Sequence, residues 1–504
     1  MLSFVRGIVV AAERNSAAPA LITGNRIISF AELLDSVARI SNFLVDRGLP
    51  KRSKLFINIA DPDLRLIVMI AAMHCGMVPF ALLEIGELKD EVDYDFIVGA
   101  APLHLPALTP DVMIDQAVFA GRLSDGRLRE FEDLTDSELL FIGSTTGTTG
   151  RPKLVAVTWG LLRKDNERRS LQPGIGDQSE PAWMRVSNGQ RSMMTLGDVT
   201  FAGVGLALLM LQSGATYVRA SRDLTECVKL INAYSATRLG ATPGTLAEIM
   251  DRMDEHRIRC PSIQQIGLVG SLFDRALLKR VEEHFDAEVT VSYGASEIGA
   301  VSAGVVHAAD FQFGYVGEPL AGVRLVTTGS RTDPSPLVVV RDPETYLPYY
   351  SGGKLVPNDD HFYTLPDLGY AEDGKVYLIG RSDEVVNISG NKVAFSRIDA
   401  NLRALPGVRD IAIVSALDIG DASGVLIGIV AVADADVDLD DLHSRTSALL
   451  KAPKAGEHVY VFEIDAVPRN AFGKTDRQRV VEAFRRSAAE GPRQDEPAKA
   501  AADP

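Results

Sequence analysis

Short apolar runs rich in Val and Ile alternate with segments of helical period over the first 380 residues, and this rhythm limits the fold more than any other feature of the chain. Residues 55–59 read as a buried strand, 64–73 as a helix and 78–82 as the next strand. The pattern returns at 224–234, 238–241 and 245–253, and again at 265–269, 276–285 and 289–293. Strands alternating with helices imply βαβ units and parallel sheets, because a parallel neighbour can only be reached by a crossover. From residue 370 the texture changes. A hairpin over 370–379 turns at Glu372-Asp373-Gly374, and a polar break, Gly380-Arg381-Ser382-Asp383, follows. Beyond it the pattern predicts a helix over 396–405, strands over 409–415 and 425–433, a helix over 439–450 and a last strand over 458–464. The expected architecture is a large α/β N-terminal domain, residues 1–380, with parallel-rich sheets flanked by helices. The polar break separates it from a small α+β C-terminal domain, residues 381–486. Residues 487–504 are Ala, Pro and charge, a composition expected to stay disordered.

Composition narrows the function. The 504 residues are 46% hydrophobic. That suffices for more than one core, since single cores stop growing at about 250–300 residues. Fifty-two basic and 67 acidic residues leave a net charge of −15, which argues against broad nucleic-acid binding. It leaves a nucleotide ligand open, because one loop and a few cations can hold phosphates on an acidic protein. Cys75, Cys227 and Cys260 lie far apart with no CxxC pair, so neither a zinc site nor a disulfide framework is expected. The apolar runs at 7–12 and 204–211 fall short of a signal-peptide core and of the ~20 residues a bilayer demands. The expectation is a reduced, cytoplasmic protein with no membrane span.

The most informative segment is Ile142-Gly143-Ser144-Thr145-Thr146-Gly147-Thr148-Thr149-Gly150-Arg151-Pro152-Lys153. Three glycines, five hydroxyl residues and a lysine occupy twelve positions between two apolar runs, 139–142 and 154–157. Glycines let backbone N–H groups converge on one anion, hydroxyls add donors, and Lys153 adds a point charge. A flexible linker has a similar composition, but it would not be expected to follow a buried strand directly and enter another through Pro-Lys. The loop is not a Walker motif. Gly473-Lys474-Thr475 has that motif's tail, yet Pro468 stands where its first glycine is required.

Thr145 to Lys153 resembles the phosphate loop of the adenylate-forming superfamily, which contains acyl-CoA synthetases, peptide-synthetase adenylation domains and beetle luciferases. Further segments in matching order extend the resemblance over about residues 20–480. Tyr293-Gly294-Ala295-Ser296-Glu297 is similar to the family's Tyr-Gly-x-Thr-Glu. The resemblance implies a ring near adenine at Tyr293, backbone at Gly294, a hydroxyl on phosphate at Ser296 and a magnesium carboxylate at Glu297. Asp367 and Arg381 match the residues that grip ribose, and Asp383 matches the hinge. Gly390, in Ser389-Gly390-Asn391-Lys392, matches the loop that lines the thiol channel. Lys474, in Gly473-Lys474-Thr475-Asp476-Arg477, matches the catalytic lysine that bridges carboxylate and α-phosphate. Thr145, Thr146, Gly147, Thr148, Thr149, Gly150 and Lys153 would cradle the phosphates, with Thr145 close to the chemistry.

What the resemblance implies is activation of a carboxylic acid by ATP and Mg2+ to an acyl-AMP, then transfer to the thiol of CoA. Domain rotation about Asp383 would exchange Lys474 for the loop at Gly390. Two alternatives stay open: a stand-alone enzyme loading a carrier protein's phosphopantetheine, and a non-catalytic nucleotide-binding scaffold. The chain departs from the family at Leu154, at Leu365-Pro366 before the ribose aspartate, at Gly270-Ser271-Leu272, at Pro334-Ser335-Pro336 and at Thr200. These changes fall on structural neighbours and on the acyl side more than on nucleotide-handling positions.

Overall fold

Strand Lys54–Ile59, helix Pro62–His74 and strand Val78–Ala81 form a βαβ unit whose strands pair in parallel. Asp61 starts the helix by accepting from the Asp63 and Leu64 N–H groups, and Pro62 sits in the first turn, where its missing donor costs nothing. The architecture comes from a computed structural model. It describes residues 5–24, 26–81, 92–119, 126–132, 134–144, 154–163, 186–197, 200–295, 298–340, 349–351, 354–356, 362–388, 391–403, 405–415, 427–433, 437–450, 459–469 and 475–490. The chain divides into two compact units, Met1–Leu365 with Tyr370–Leu378, and Pro366–Gly369 with Ile379–Pro504.

Among the described residues the larger unit takes part in three sheets: a small one ordered Arg324–Val326, Ser335–Val340, Phe362–Glu372 and Lys375–Arg381, and two larger ones. A nine-stranded sheet runs in the spatial order Glu318–Pro319, Gly299–Val305, Glu288–Ala295, Gln265–Val269, Arg238–Ala241, Arg191–Met194, Thr216–Arg219, Pro19–Thr23 and Arg26–Ser29. Its inner strands, from Glu288–Ala295 to Pro19–Thr23, are parallel. An eight-stranded sheet places Leu139–Ser144 parallel to Val78–Ala81 and antiparallel to Leu154–Thr158. One core joins both sheets: Leu55 and Val98 from the second lie in the same cluster as Leu239 and Ile266 from the first. The pleat explains a second cluster on the other face, where Phe56 packs with Phe80 and Ile142 while Leu55 and Ile57 face the shared core.

An ion pair is sealed into this unit. Arg219 Nε donates to Asp63 Oδ1 at 2.8 Å, Thr23 Oγ1 donates to the same oxygen at 2.9 Å, and Arg219 Nη2 donates to Pro62 O at 3.1 Å. The two charged side chains are 7% and 4% exposed. They tie the nine-stranded sheet to the helix of the βαβ unit.

His74, in the last turn of that helix, is buried, with Nε2 3.2 Å from Arg129 O and its ring edge-on to Phe131. Burial pushes its pKa down from 6.5 to about 4. Above pH 6.5 the ring is neutral folded or unfolded. As the pH falls toward 4 only the unfolded chain takes the proton, so stability is lost on acidification. Between pH 7.5 and 5 this group is expected to remove about 2 kcal/mol. Urea unfolding at both pH values reads it as an extra loss relative to His74→Gln, and equal losses in the two proteins would refute it.

The smaller unit contains a hairpin of Val385–Ile388 and Asn391–Ala394, helix Phe395–Arg403, and a three-stranded sheet of Val408–Ser415, Ile427–Ala433 and Val459–Glu463. Helices Leu439–Leu450 and Arg477–Glu490 complete it. Both sheet faces are covered. Ile411, Ile427 and Ile429 pack with Phe395, Ile398 and Leu442, while Ala412, Val414 and Val430 pack with Val480 and Phe484. The second face holds Phe484 tightly against Gly428, where any Cβ would collide with the ring.

Two features differ from the sequence reading. The hairpin is longer, Phe362–Glu372 and Lys375–Arg381, with Asp373 and Gly374 both at positive φ in the turn. The last helix continues to Glu490, so residues 487–490 are helical rather than disordered. Val480, Val481 and Phe484 recur on one side and supply the amphipathic face that the sequence reading passed over. Residues 491–504 lie outside the described residues.

Candidate active site

Strands Arg191–Met194, Arg238–Ala241, Gln265–Val269 and Glu288–Ala295 are parallel neighbours, so their C-terminal ends share one edge of the nine-stranded sheet. In open α/β sheets ligands bind beyond that edge. The edge is built from capped turns. Thr195 N–H donates to Gly240 O at 2.9 Å. Thr242 caps helix Pro243–His256 by accepting from Thr245 N–H at 3.2 Å, and Asp274 caps helix Arg275–His284 by accepting from Leu277 N–H at 2.9 Å.

Thr200 connects this edge to the other sheet. It caps helix Phe201–Gln212 by accepting from Gly203 N–H at 3.0 Å, and it forms an isolated parallel bridge with Ser144. Ser144 ends strand Leu139–Ser144 and is the last described residue before the glycine- and threonine-rich segment. Strand Leu139–Ser144 therefore ends beside the C-terminal edge of the nine-stranded sheet. Gly203 lets the helix start pack against the preceding turn, since any Cβ there would collide with Gly197 O. Sequence reasoning treated Thr200 only as a departure from a family pattern. Thr-x-x-Gly before an apolar helix was the available signal for a capping role.

Tyr293 and Gly294 lie near the end of Glu288–Ala295, at a register irregularity against Gly299–Val305. Tyr293 is half-buried. Gly294 has no room for a side chain, because a Cβ would run into Gly299 O. Ile298 N–H donates to Ala295 O at 3.1 Å. Asp367 and Arg381 belong to the smaller unit, both half-buried, at the end of the Phe362–Glu372 and Lys375–Arg381 hairpin away from its turn. Asp383 lies in a 3-10 turn, Ser382–Glu384. Beside the turn, Ser396 Oγ donates to Ile379 O. Thr145, Thr146, Gly147, Thr148, Thr149, Gly150, Lys153, Ser296, Glu297, Gly390 and Lys474 lie outside the described residues.

Cysteine chemistry does not enter this site. All three cysteines are free and buried, and burial pushes the thiol of Cys75 up to about 12 and those of Cys227 and Cys260 up to about 11. Such thiols hold almost no thiolate at neutral pH. Among the described residues, no helix is long and apolar enough to cross a membrane.

A family model described as AMP-binding enzyme matches residues 87–336, the span that holds the loop, Thr200 and Tyr293. The chain belongs to the adenylate-forming superfamily. Within it, this chain is an AMP-forming ligase. It is 23% identical to 4-chlorobenzoate–CoA ligase from Arthrobacter, with 95% of each chain covered. It is 24% identical to the fatty acid–[acyl-carrier-protein] ligase MmaC of Mycobacterium marinum, covering 86% of this chain and 87% of that one. The fold is shared with O-succinylbenzoate coenzyme A synthetase (MenE) from Bacillus subtilis, solved with ATP and magnesium ion. That match has a TM-score of 0.74 at 19% identity over 95% of this chain and 99% of that one.

Proposed function

We propose that this adenylate-forming enzyme activates a carboxylic acid with ATP and then passes the acyl group to the thiol of CoA. The observation that supports it best is the bridge from Ser144 to Thr200, which ends strand Leu139–Ser144 beside the edge where four parallel strands end. In the first step a carboxylate oxygen attacks the α-phosphorus of ATP. The bond to the β-phosphate breaks, and pyrophosphate leaves with the electron pair. Loop N–H groups at 145–150, Lys153 and Lys474 would hold the charge that builds on phosphate oxygens. The ring of Tyr293 would flank adenine, with Gly294 letting backbone approach it. Asp367 would accept from the ribose hydroxyls, and Arg381 would donate to the same sugar. Ser296 adds a phosphate donor.

Glu297 would be the carboxylate that holds magnesium. A carboxylate is the kind of oxygen donor this hard cation takes. When bound, magnesium neutralises phosphate charge. In the second step the thiol sulphur attacks the acyl carbon, AMP leaves with the electrons of the C–O bond, and the thiol proton passes to solvent. Rotation about Asp383 would bring Gly390 to the site for this step. The likeness to a carrier-protein ligase supports a second reading, with a carrier's phosphopantetheine as the acceptor. The buried, unpaired cysteines support a cytoplasmic setting.

Pyrophosphate release with ATP and magnesium across aliphatic, aryl and amino acids tests the first step. Release with one acid class supports the reading, and silence across the panel despite ATP binding transfers support to a scaffold role. Adding CoA, or a carrier protein bearing phosphopantetheine, decides the acceptor.

A further inference from the structure

Four charged side chains in the smaller unit form one chain of alternating sign. Arg403 Nε donates to Asp399 Oδ2 at 2.8 Å, and Arg403 Nη1 donates to Asp410 Oδ1 at 2.6 Å. The other oxygen of Asp410 accepts from Arg469 Nη2 at 2.6 Å. Arg403 Nη2 also donates to Ile411 O at 2.7 Å, which locks the guanidinium to the strand. These groups are 22–35% exposed, partly withdrawn from water. Charge-assisted bonds this short are about twice as strong as neutral ones.

The chain of charges ends at a particular place. Arg469 forms an isolated antiparallel bridge with Thr475. Arg469 Nη1 donates to Thr475 Oγ1 at 3.4 Å, and Asp476 N–H donates to Pro468 O at 2.9 Å. Arg469 and Thr475 are thus paired with each other, and Lys474 immediately precedes Thr475 in the chain. On the far side Arg477 pairs with Glu384 at 3.4 Å. Solubility alone would be served by independent surface pairs such as Arg445 with Asp441, which are half exposed and lead nowhere.

We propose that Arg403 and Asp410, acting through Arg469, are positioning residues that hold the root of the Lys474 segment for the adenylation step. This rests on the reading that Lys474 serves adenylation. Their effect is geometric, because a displacement of about 1 Å at a catalytic group costs about 10²-fold in rate.

The test uses the full chain with Asp410→Asn, Arg469→Lys, Lys474→Ala and, as a surface control, Asp441→Asn. The substrate is whichever panel acid gives the fastest pyrophosphate release, and its synthetic acyl-AMP supplies the second step separately. Asp410→Asn is expected to lower kcat for pyrophosphate release about 10–100-fold with KM for ATP held within about 2-fold. Thioester formation from the supplied acyl-AMP should stay within about 2-fold of wild type. Arg469→Lys, which keeps the charge and loses the fork, should recover part of the rate. Amide exchange over 465–477 should quicken in Asp410→Asn and stay unchanged in Asp441→Asn. Equal losses in both steps, or unchanged exchange at 465–477, would reduce the network to a structural role and overturn the proposal. Undiminished release by Lys474→Ala overturns the reading beneath it. A silent Lys474→Ala beside an unaffected Asp410→Asn overturns the proposal alone.

Discussion

Lys474→Ala is expected to lower acid-dependent pyrophosphate release by about 10²–10³-fold, with KM for ATP and for the acid almost unchanged. The reacting carboxylate and the α-phosphate both carry negative charge, and the transition state draws them together. A lysine at both oxygens, the role proposed for Lys474, would oppose that repulsion most strongly at the moment of bond formation. Removing a preorganised donor of this kind costs about 3–4 kcal/mol, all of it in the transition state. Thioester formation from supplied acyl-AMP should survive, because the second step needs no charge at that position. Steady-state kinetics on both half-reactions checks the expectation. A mutant whose loss appears only in KM would mean that Lys474 binds substrate and does not catalyse.

The second large effect concerns stability. Asp63→Ala is expected to cost the larger unit about 3–5 kcal/mol, because it leaves a guanidinium buried without its carboxylate. Arg219 is 7% exposed and cannot reach water without opening the contact between helix Pro62–His74 and the nine-stranded sheet. Thr23 loses its acceptor in the same change. The double variant Asp63→Leu with Arg219→Met should recover most of the loss, since apolar groups of similar volume remove both desolvation penalties. Urea midpoints across the four proteins of the cycle measure the coupling. An additive double variant, as unstable as the two single losses combined, would show that each side chain acts through other contacts.

The alternation that predicted βα units at 55–82 and at 224–293 was legible because hydrophobic burial imposes a period on the chain itself. Helix Leu439–Leu450 and strand Arg238–Ala241 fall where the periods put them. The strands Val408–Ser415 and Ile427–Ala433 were visible as apolar runs for a further reason: helices cover both of their faces, so neither face needed polar residues. The last helix was missed because Ala, Arg and Glu outnumber its three apolar anchors, and composition obscured the spacing.

The sequence offers candidate site chemistry where it is local. Glycines and hydroxyls crowded between two strands suggest a phosphate loop by residue type, and Tyr-Gly before Ser-Glu suggests an adenine platform through its resemblance to the family motif. What joins such segments was not legible. Ser144 bridges Thr200, Asp63 pairs with Arg219 across 156 residues, and Asp410 holds Arg469 across 59. In sequence each of those charges looks like any surface charge. Local periods determined the elements, the two kinds of sheet and the candidate chemistry, because burial and backbone freedom act on neighbours in the chain. Only the tertiary structure decided which edge the strands share and which charges meet. Those choices depend on distance in space, and no period in the chain records it.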